Sequence, residues 1–220
     1  MSEAAQNINE HGIGASVLRR EDLRFITGNG TYTDDINQPG QVFALFCRSP
    51  FARARIKSLD FSDAKETAGV IACYSGKDMM DDEIGDLPCG WMVNSKDGSE
   101  MLSAPHPPLA VDRVNYLGEP YAIVIAESLS AARQGVDSVS VDFEELNPVV
   151  DLETAAQSEQ LYENIPNNTA YEWALGDEEA TRTAFAKASH VTKLELLNNR
   201  LIPNAIEPRA CLGMFDSSTG

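Results

Sequence analysis

Hydrophobic and polar positions alternate along several short segments, which is the pattern of a β-strand with one buried face. In residues 139–143 every second position is apolar and the intervening positions are polar. Residues 52–59 alternate in the same way, with basic side chains at every second position. We interpret these basic residues as a solvated strand face rather than an anion-binding patch; they are Arg53, Arg55 and Lys57.

Short apolar segments predict further strands that are buried more completely. Three segments have this character, namely residues 41–48, 70–74 and 191–197. Residues 109–126 predict two strands joined by a tight turn, because Gly118 and Pro120 interrupt the apolar positions there.

Three segments carry the start, stop or spacing signals of helices. Residues 62–69 begin with a serine cap and end at a glycine, whereas residues 130–138 carry small side chains that allow close packing on a sheet. Residues 176–188 have alanine and phenylalanine at helical spacing. Neighbouring strands joined by short turns, with helices between them, indicate the α+β fold class rather than a doubly wound sheet.

The longest irregular segment covers residues 77–108 and is rich in Asp, Gly and Pro. We expect Trp91, Met92 and Met101 to hold it against the body of the domain, because ordering so long a loop costs entropy that contacts must offset. Residues 1–13 predict a disordered leader, since they are mostly polar and show no periodicity.

The net charge narrows the classes of function. The 220 residues include 34 acidic and 17 basic side chains, for a formal charge of −17. Such a field repels phosphate backbones and anionic lipids, so neither a nucleic acid nor a membrane is expected as a partner. No apolar run approaches the roughly 20 residues that a membrane span needs, and no signal peptide is recognisable, so we expect a cytoplasmic location.

Few side chains have the spacing that catalysis or metal binding requires. The four cysteines are far apart, with no Cys-x-x-Cys pair, so no metal or iron–sulfur site is predicted. We expect Cys47 and Cys73 to be buried hydrophobes. His106 is expected to face solvent, since no carboxylate or nucleophile is near it in sequence. Glu119 is interpreted as a carboxylate that bonds local backbone amides.

Several motifs occur together in a fixed order. They are Arg20-Glu21-Asp22, Gly28, Asp34-Asp35, Arg48-Ser49-Pro50, Gly118-Glu119-Pro120, residues 141–150, Gly176-Asp177 and residues 200–209. As an ordered set within residues 14–220, they resemble the start of the large subunit of the molybdenum hydroxylases, the family of xanthine dehydrogenase, aldehyde oxidase and carbon monoxide dehydrogenase. The segment Pro88-Cys89-Gly90-Trp91 resembles the bacterial three-subunit branch of that family.

The resemblance implies a fold and a domain order. Residues 14–150 are expected to form an α/β hammerhead domain, residues 151–190 a linker with a helix, and residues 191–220 the first strands of a truncated molybdopterin-binding domain. The resemblance also implies an oxidoreductase in which a molybdenum–pterin cofactor performs the chemistry, with FAD and 2Fe-2S clusters on partner subunits.

The same resemblance places the family's glycine-rich cofactor loops and its glutamate base beyond Gly220. We therefore predict no catalytic, cofactor-binding or metal-binding residue in this chain, and we expect it to be catalytically silent by itself. Asn204 and Glu207 are the candidates for a functional edge, because Pro203 and Pro208 stiffen the chain there. An acid between apolar residues indicates partial burial and a structural hydrogen bond.

Two functions stay open from the sequence. The first is a structural and assembly portion of a molybdenum hydroxylase large subunit, with the remainder of that subunit and the FAD and iron–sulfur subunits as partners. The second is a free-standing hammerhead module that binds another molecule and has no enzyme activity.

Overall fold

A computed structural model describes residue 13 and residues 19–199 and 201–218. The chain divides into two compact units, one formed by Met1–Gly40 with Leu196–Gly220 and the other by Gln41–Glu195. This division differs from the predicted domain boundaries at residues 14, 150 and 190. Those boundaries stay predictions. Most of the predicted leader, residues 1–13, lies outside the described residues.

The larger unit contains two three-stranded antiparallel sheets. Its strands in chain order are β1 Phe43–Arg48, β2 Ala54–Asp60, β3 Val70–Ser75, β4 Arg113–Val114, β5 Pro120–Ala126 and β6 Ser140–Glu145. The first sheet has the order β1-β5-β3 and the second has the order β4-β2-β6. The predicted α+β class is therefore confirmed.

Among the described residues, four α-helices lie in the larger unit and one lies in the smaller unit. The helices are α1 Asp22–Ile26, α2 Ser62–Glu66, α3 Gly76–Asp81, α4 Leu129–Asp137 and α5 Glu178–Lys187. The side chain of Ser128 caps α4 by accepting the Ala131 N–H, and Asp177 caps α5 by accepting the Ala180 N–H. Such caps satisfy backbone donors that a helix start would otherwise leave unpaired.

The core of the larger unit lies where α2 and α4 pack on the β1-β5-β3 sheet. Ala122, Val124 and Cys47 are almost completely buried in it. Gly135 of α4 sits so close to the sheet that an added Cβ would lie 2.8 Å from Val124 Cγ1 and 2.8 Å from Val70 Cγ2. The absence of a side chain at this position therefore sets how closely the helix approaches the strands.

A short turn joins β4 to β5, as the sequence predicts, but the two strands do not pair with each other. β4 pairs with β2 in one sheet, whereas β5 is the central strand of the other. Backbone bonds explain the divergence: Ser49 N donates to Glu119 O, and Gly118 N donates to Ser49 O. These bonds fasten the turn to the residues that follow β1, so that β5 leaves the turn along β1 rather than along β4.

The long segment at residues 77–108 is held differently from our expectation. Trp91 and Met92 are 74% and 51% exposed, so they do not hold it to the body, whereas Met101 is partly buried. Backbone bonds also join the segment to residues 170–172, because Lys96 N donates to Glu172 O and Leu102 N donates to Ala170 O. Main-chain bonds of this kind need no particular side chains, which is why composition gave no sign of them.

The smaller unit contains α1 and a 3-10 turn at Thr33–Asp35. Residues 201–218, which also belong to it, form no helix or strand. The predicted strand at residues 191–197 is also absent, since its backbone has no neighbouring strand within the described part of the chain. Over those described residues, no helix combines the length and apolar character that crossing a membrane requires.

Candidate functional site

A set of charged and polar side chains, all of them partly or fully buried except Glu159, surrounds the turn between β4 and β5. We call it the turn cluster, and its members are Arg53, Arg113, Asn115, Glu119 and Glu159. Four elements of the larger unit contribute to it: the start of β2, the strand β4, the turn after it, and the irregular segment that follows β6. The turn cluster combines buried charge with two buried hydrogen-bonding atoms that have no partner.

Glu119 is the most deeply buried acid of the cluster, with 8% of its surface exposed. Its carboxylate accepts the backbone N–H of Asn115. Burial raises the pKa of Glu119, and this effect outweighs the opposing effects of the bonds from the Asn115 and Tyr116 amides and of the charge on His106. The prediction that Glu119 bonds local backbone amides is confirmed.

Two tyrosines lie within electrostatic range of the same carboxylate. Burial raises the pKa of Tyr162, and the negative charge of Glu119 raises it further. Burial and then Glu119 have the same effect on the pKa of Tyr116. Both phenols therefore stay protonated at neutral pH and are available as hydrogen-bond donors.

Arg53 is the buried base of the cluster, with 3% of its surface exposed. Its Nη1 donates to the carbonyl of Asn147 at 2.9 Å and lies 3.3 Å from Glu159 Oε2. The expectation that Arg53 belongs to a solvated strand face is therefore wrong. The chain after β6 folds back over the start of β2, as the bond from Leu146 N to Arg53 O shows, and this covers the guanidinium.

The other two members of the predicted basic face behave as expected. Lys57 is exposed, and Arg55 is about half exposed and bonds Glu144 across the strands at 3.1 Å. Since one of the three basic residues is buried and another is paired, the strand does not present an anion-binding patch.

The functional edge predicted at Asn204 and Glu207 belongs to the smaller unit. Glu207 Oε1 accepts the backbone N–H of Thr33 at 2.8 Å, which is the type of bond we expected. Glu207 is exposed rather than partly buried, and so is its neighbour Ile206. Asn204 has a positive φ of 55°, a conformation that asparagine tolerates better than most residues. A functional role for either residue stays a prediction.

Within the described residues, the side chains that commonly bind metals do not come together as a ligand set. Burial and the neighbouring Cys73 raise the pKa of Cys47 to about 12, so this thiol stays protonated and is a poor metal ligand. No group of three or more His, Cys, Asp or Glu side chains within those residues could hold a metal ion. An open cleft of about 830 Å³ contains Lys96 and Arg182, but Glu172 and Glu178 already pair with them.

Sequence reasoning missed most of the turn cluster. Asn115, Glu159 and Arg113 carried no signal, because each acquires its role only when distant segments meet. Arg113 illustrates this, since its Nη1 donates to the carbonyl of Leu161, far along the chain, at 3.4 Å. His106 is exposed, as predicted, although its backbone carbonyl accepts the Leu87 N–H.

Comparison with known protein families gives a match over residues 27–147. The matching model is described as the aldehyde oxidase and xanthine dehydrogenase a/b hammerhead domain. This range contains all six strands and the helices α2, α3 and α4. The match therefore covers the same part of the chain that forms the two sheets.

Individual proteins show similarity over nearly the whole chain. The carbon monoxide dehydrogenase large chain of Afipia carboxidovorans is 31% identical over 95% of this chain and 26% of its own length. The nicotine 6-hydroxylase large subunit of Paenarthrobacter nicotinovorans is 33% identical over 95% of this chain and 25% of its own length. The chain thus spans about a quarter of the length of these curated relatives.

Solved structures of similar proteins show the same fold. The reconstituted CO dehydrogenase from Oligotropha carboxidovorans superposes with a TM-score of 0.63 and 32% identity, covering 81% of this chain and 23% of that one. Quinoline 2-oxidoreductase from Pseudomonas putida 86 superposes with a TM-score of 0.57 and 35% identity, covering 67% of this chain and 18% of that one.

Proposed function

We propose a function from the family of this chain, which belongs to the aldehyde oxidase and xanthine dehydrogenase family through its a/b hammerhead domain. In this proposal the chain acts as the hammerhead portion of the large subunit of a molybdenum-dependent oxidoreductase. The observation that carries this proposal is the similarity of nearly the whole chain to one quarter of a carbon monoxide dehydrogenase large chain. In this role the chain provides packing and docking surface, and the reacting groups belong to other parts of the enzyme.

The reaction would be the oxidation of carbon monoxide or the hydroxylation of a carbon centre. The relatives support this class of reaction through their names, which refer to carbon monoxide, nicotine and quinoline. A molybdenum–pterin cofactor would perform the chemistry, and FAD and 2Fe-2S clusters on partner subunits would accept the electrons. We place the assembled enzyme in the cytoplasm.

The exposed apolar side chains of the chain support a docking role. Phe46, Ile71 and Tyr74 lie on strands of the β1-β5-β3 sheet and stay exposed to between 37% and 55%. In the smaller unit, Leu201 and Ile206 are more than four-fifths exposed. Large apolar side chains that are exposed side by side commonly mark surfaces that another protein covers. We assign that covering role to the remainder of the large subunit.

Purification of the tagged protein from its native host tests the proposal. We expect molybdenum, flavin and iron–sulfur clusters to co-purify with it in stoichiometric amounts, together with activity on carbon monoxide, an aldehyde or an N-heteroaromatic compound. The 220-residue chain produced alone should contain no molybdenum and turn over none of these substrates. Turnover by the chain alone would contradict the proposal, and so would native material that contains no molybdenum.

A further inference from the structure

Two buried polar atoms of the turn cluster have no hydrogen-bond partner. They are Nε of Arg53 and Oδ1 of Asn115. Buried donors and acceptors are nearly always satisfied in folded proteins, because leaving one unpaired forfeits the bonds that it makes with water in the unfolded chain. Two such atoms in one cluster therefore require an explanation.

The strand register brings the two residues together. In the pairing of β2 with β4, Ala54 lies opposite Val114 and Arg55 lies opposite Arg113. Continuing this antiparallel register by one residue places Arg53 opposite Asn115. Side chains at directly opposed positions share a face of the sheet and have Cβ atoms about 4.5–5.5 Å apart. The two orphaned atoms thus lie on the same side of the same strand pair.

The other groups of Arg53 are already engaged. Nη1 donates to the carbonyl of Asn147, and Nη2 lies 3.4 Å from Glu159 Oε1. Nε is the one guanidinium nitrogen of Arg53 without a partner, and it is not bonded to Asn115 Oδ1, which has no partner either. The backbone N–H of Asn115 donates to Glu119. The side-chain Oδ1 of Asn115 accepts no hydrogen bond.

A molecule that satisfies both atoms must accept one hydrogen bond and donate another. A simple cation is excluded because it cannot accept a bond from Nε–H and is repelled by the guanidinium. A fully ionised anion could accept from Nε–H but has no proton to donate to Oδ1. Water meets both requirements and is commonly found bridging otherwise unpaired buried groups.

We infer that one buried water molecule lies between Arg53 and Asn115, accepting the Nε–H of the arginine and donating to Oδ1 of the asparagine. This water links the start of β2 to the turn after β4. Because Arg53 also bonds Asn147 and Glu159, the water connects β2 and the turn to the segment that follows β6. The inference does not depend on the proposed function, since it concerns the interior of the larger unit alone.

A crystal structure of the full chain, at a resolution that shows ordered water, tests this directly. We expect a peak of water density within about 2.7–3.2 Å of both Arg53 Nε and Asn115 Oδ1, the usual range for hydrogen bonds. A direct bond between the two side chains, or a gap without density, would overturn the inference.

Water-to-amide NOE spectroscopy provides a second test in solution. Long-lived water should give a cross-peak to the amide protons of Val114 and Asn115 in the native chain. The peak should disappear in Asn115→Leu, which removes the acceptor, and should persist in the surface control Gln134→Leu. If Asn115→Leu does not fold, Arg53→Lys replaces it, because lysine keeps the charge and removes Nε. A peak that survives in a folded Asn115→Leu or Arg53→Lys protein would refute the water site.

Discussion

The carboxylate of Glu119 accepts the backbone N–H of Asn115 and so closes the turn that leads from one sheet to the other. Gly118, with a φ of +83°, supplies the left-handed residue within this turn. Arg48 supports it from β1 by donating from Nη1 to the Gly118 carbonyl at 3.0 Å. The turn is thus fixed by a side chain from within it and by one from the neighbouring sheet.

Replacing Glu119 with alanine should destabilise the protein. The substitution leaves the Asn115 N–H without its acceptor, and an unpaired buried donor costs about 1–3 kcal/mol in the free energy of unfolding. Urea denaturation at pH 7 measures the change. Glu163→Ala, at an exposed position, is the control and should change stability by no more than about 0.5 kcal/mol. Equal effects of the two substitutions would contradict the assigned role of Glu119.

Glu119 should also make the stability of the chain depend on pH in a specific direction. Because burial raises its pKa in the folded state above the ordinary value of 4.5, the folded protein binds this proton more tightly than the unfolded chain. The resulting stabilisation is complete below pH 4.5 and is lost as the pH rises through the folded pKa.

The substitution Glu119→Gln isolates this effect, since glutamine resembles the protonated carboxyl at every pH. The stability of the native chain relative to the variant should fall as the pH rises from 4 to 7. Urea midpoints of both proteins across this range provide the measurement, and Glu163→Gln controls for the loss of one negative charge elsewhere. If the difference in stability between the native chain and Glu119→Gln does not change with pH, the pKa of Glu119 is not raised.

Gly135→Ala should lower the melting temperature, although alanine is the better helix former. The gain in helix propensity is about 1 kcal/mol. The new methyl group would meet Val124 and Val70 at 2.8 Å, and overpacking of this kind costs about 1–3 kcal/mol. Gln134→Ala, at the exposed neighbouring position of α4, should not lower the melting temperature. A more stable Gly135→Ala protein would mean that α4 can move away from the sheet.

Arg53→Met should weaken the attachment of the segment that follows β6. The change removes the bonds to Asn147 and Glu159 and should cost about 1–3 kcal/mol in the free energy of unfolding. Amide hydrogen exchange at residues 146–165 should accelerate in this variant. Arg55→Met is the matched control, because its exposed pair with Glu144 is worth about 0.2–1 kcal/mol. Unchanged exchange in the Arg53 variant would disprove the attachment.

The cysteines should differ in their reactivity towards alkylating agents. Cys89 and Cys211 are exposed, whereas Cys47 and Cys73 are buried and have raised pKa values. We expect iodoacetamide at pH 8 to modify the two exposed thiols of the native chain and all four after denaturation, because the thiolate is the reactive form. Intact-mass spectrometry counts the adducts. Rapid labelling of Cys47 in the native protein would contradict its burial.

The sequence predicted those features that neighbouring residues determine. The alternation in residues 139–143 identified β6, and the small residues of α4 identified a helix that lies close to a sheet. Each of these elements packs one face against a continuous surface. The spacing of its own residues is therefore sufficient to predict it.

Features that depend on distant segments were not predicted. Nothing near Arg53 distinguishes it from Arg55, because the residues that cover Arg53 are Asn147 and Glu159. The pairing of β4 and β5 with different strands has the same cause, since the bonds that separate them come from Ser49. The motifs of the hammerhead family identified the domain, but they did not reveal which of its charged residues are buried.

The position of β5 in the chain has a consequence for how the larger unit folds. β5 is the central strand of one sheet, and residues 115–119 join it directly to β4 at the edge of the other. Neither sheet can lose this connection without disturbing its counterpart, so the two should melt in a single cooperative transition rather than in succession. Because most strand partners are remote in sequence, the larger unit has a high contact order, and its refolding should be slow.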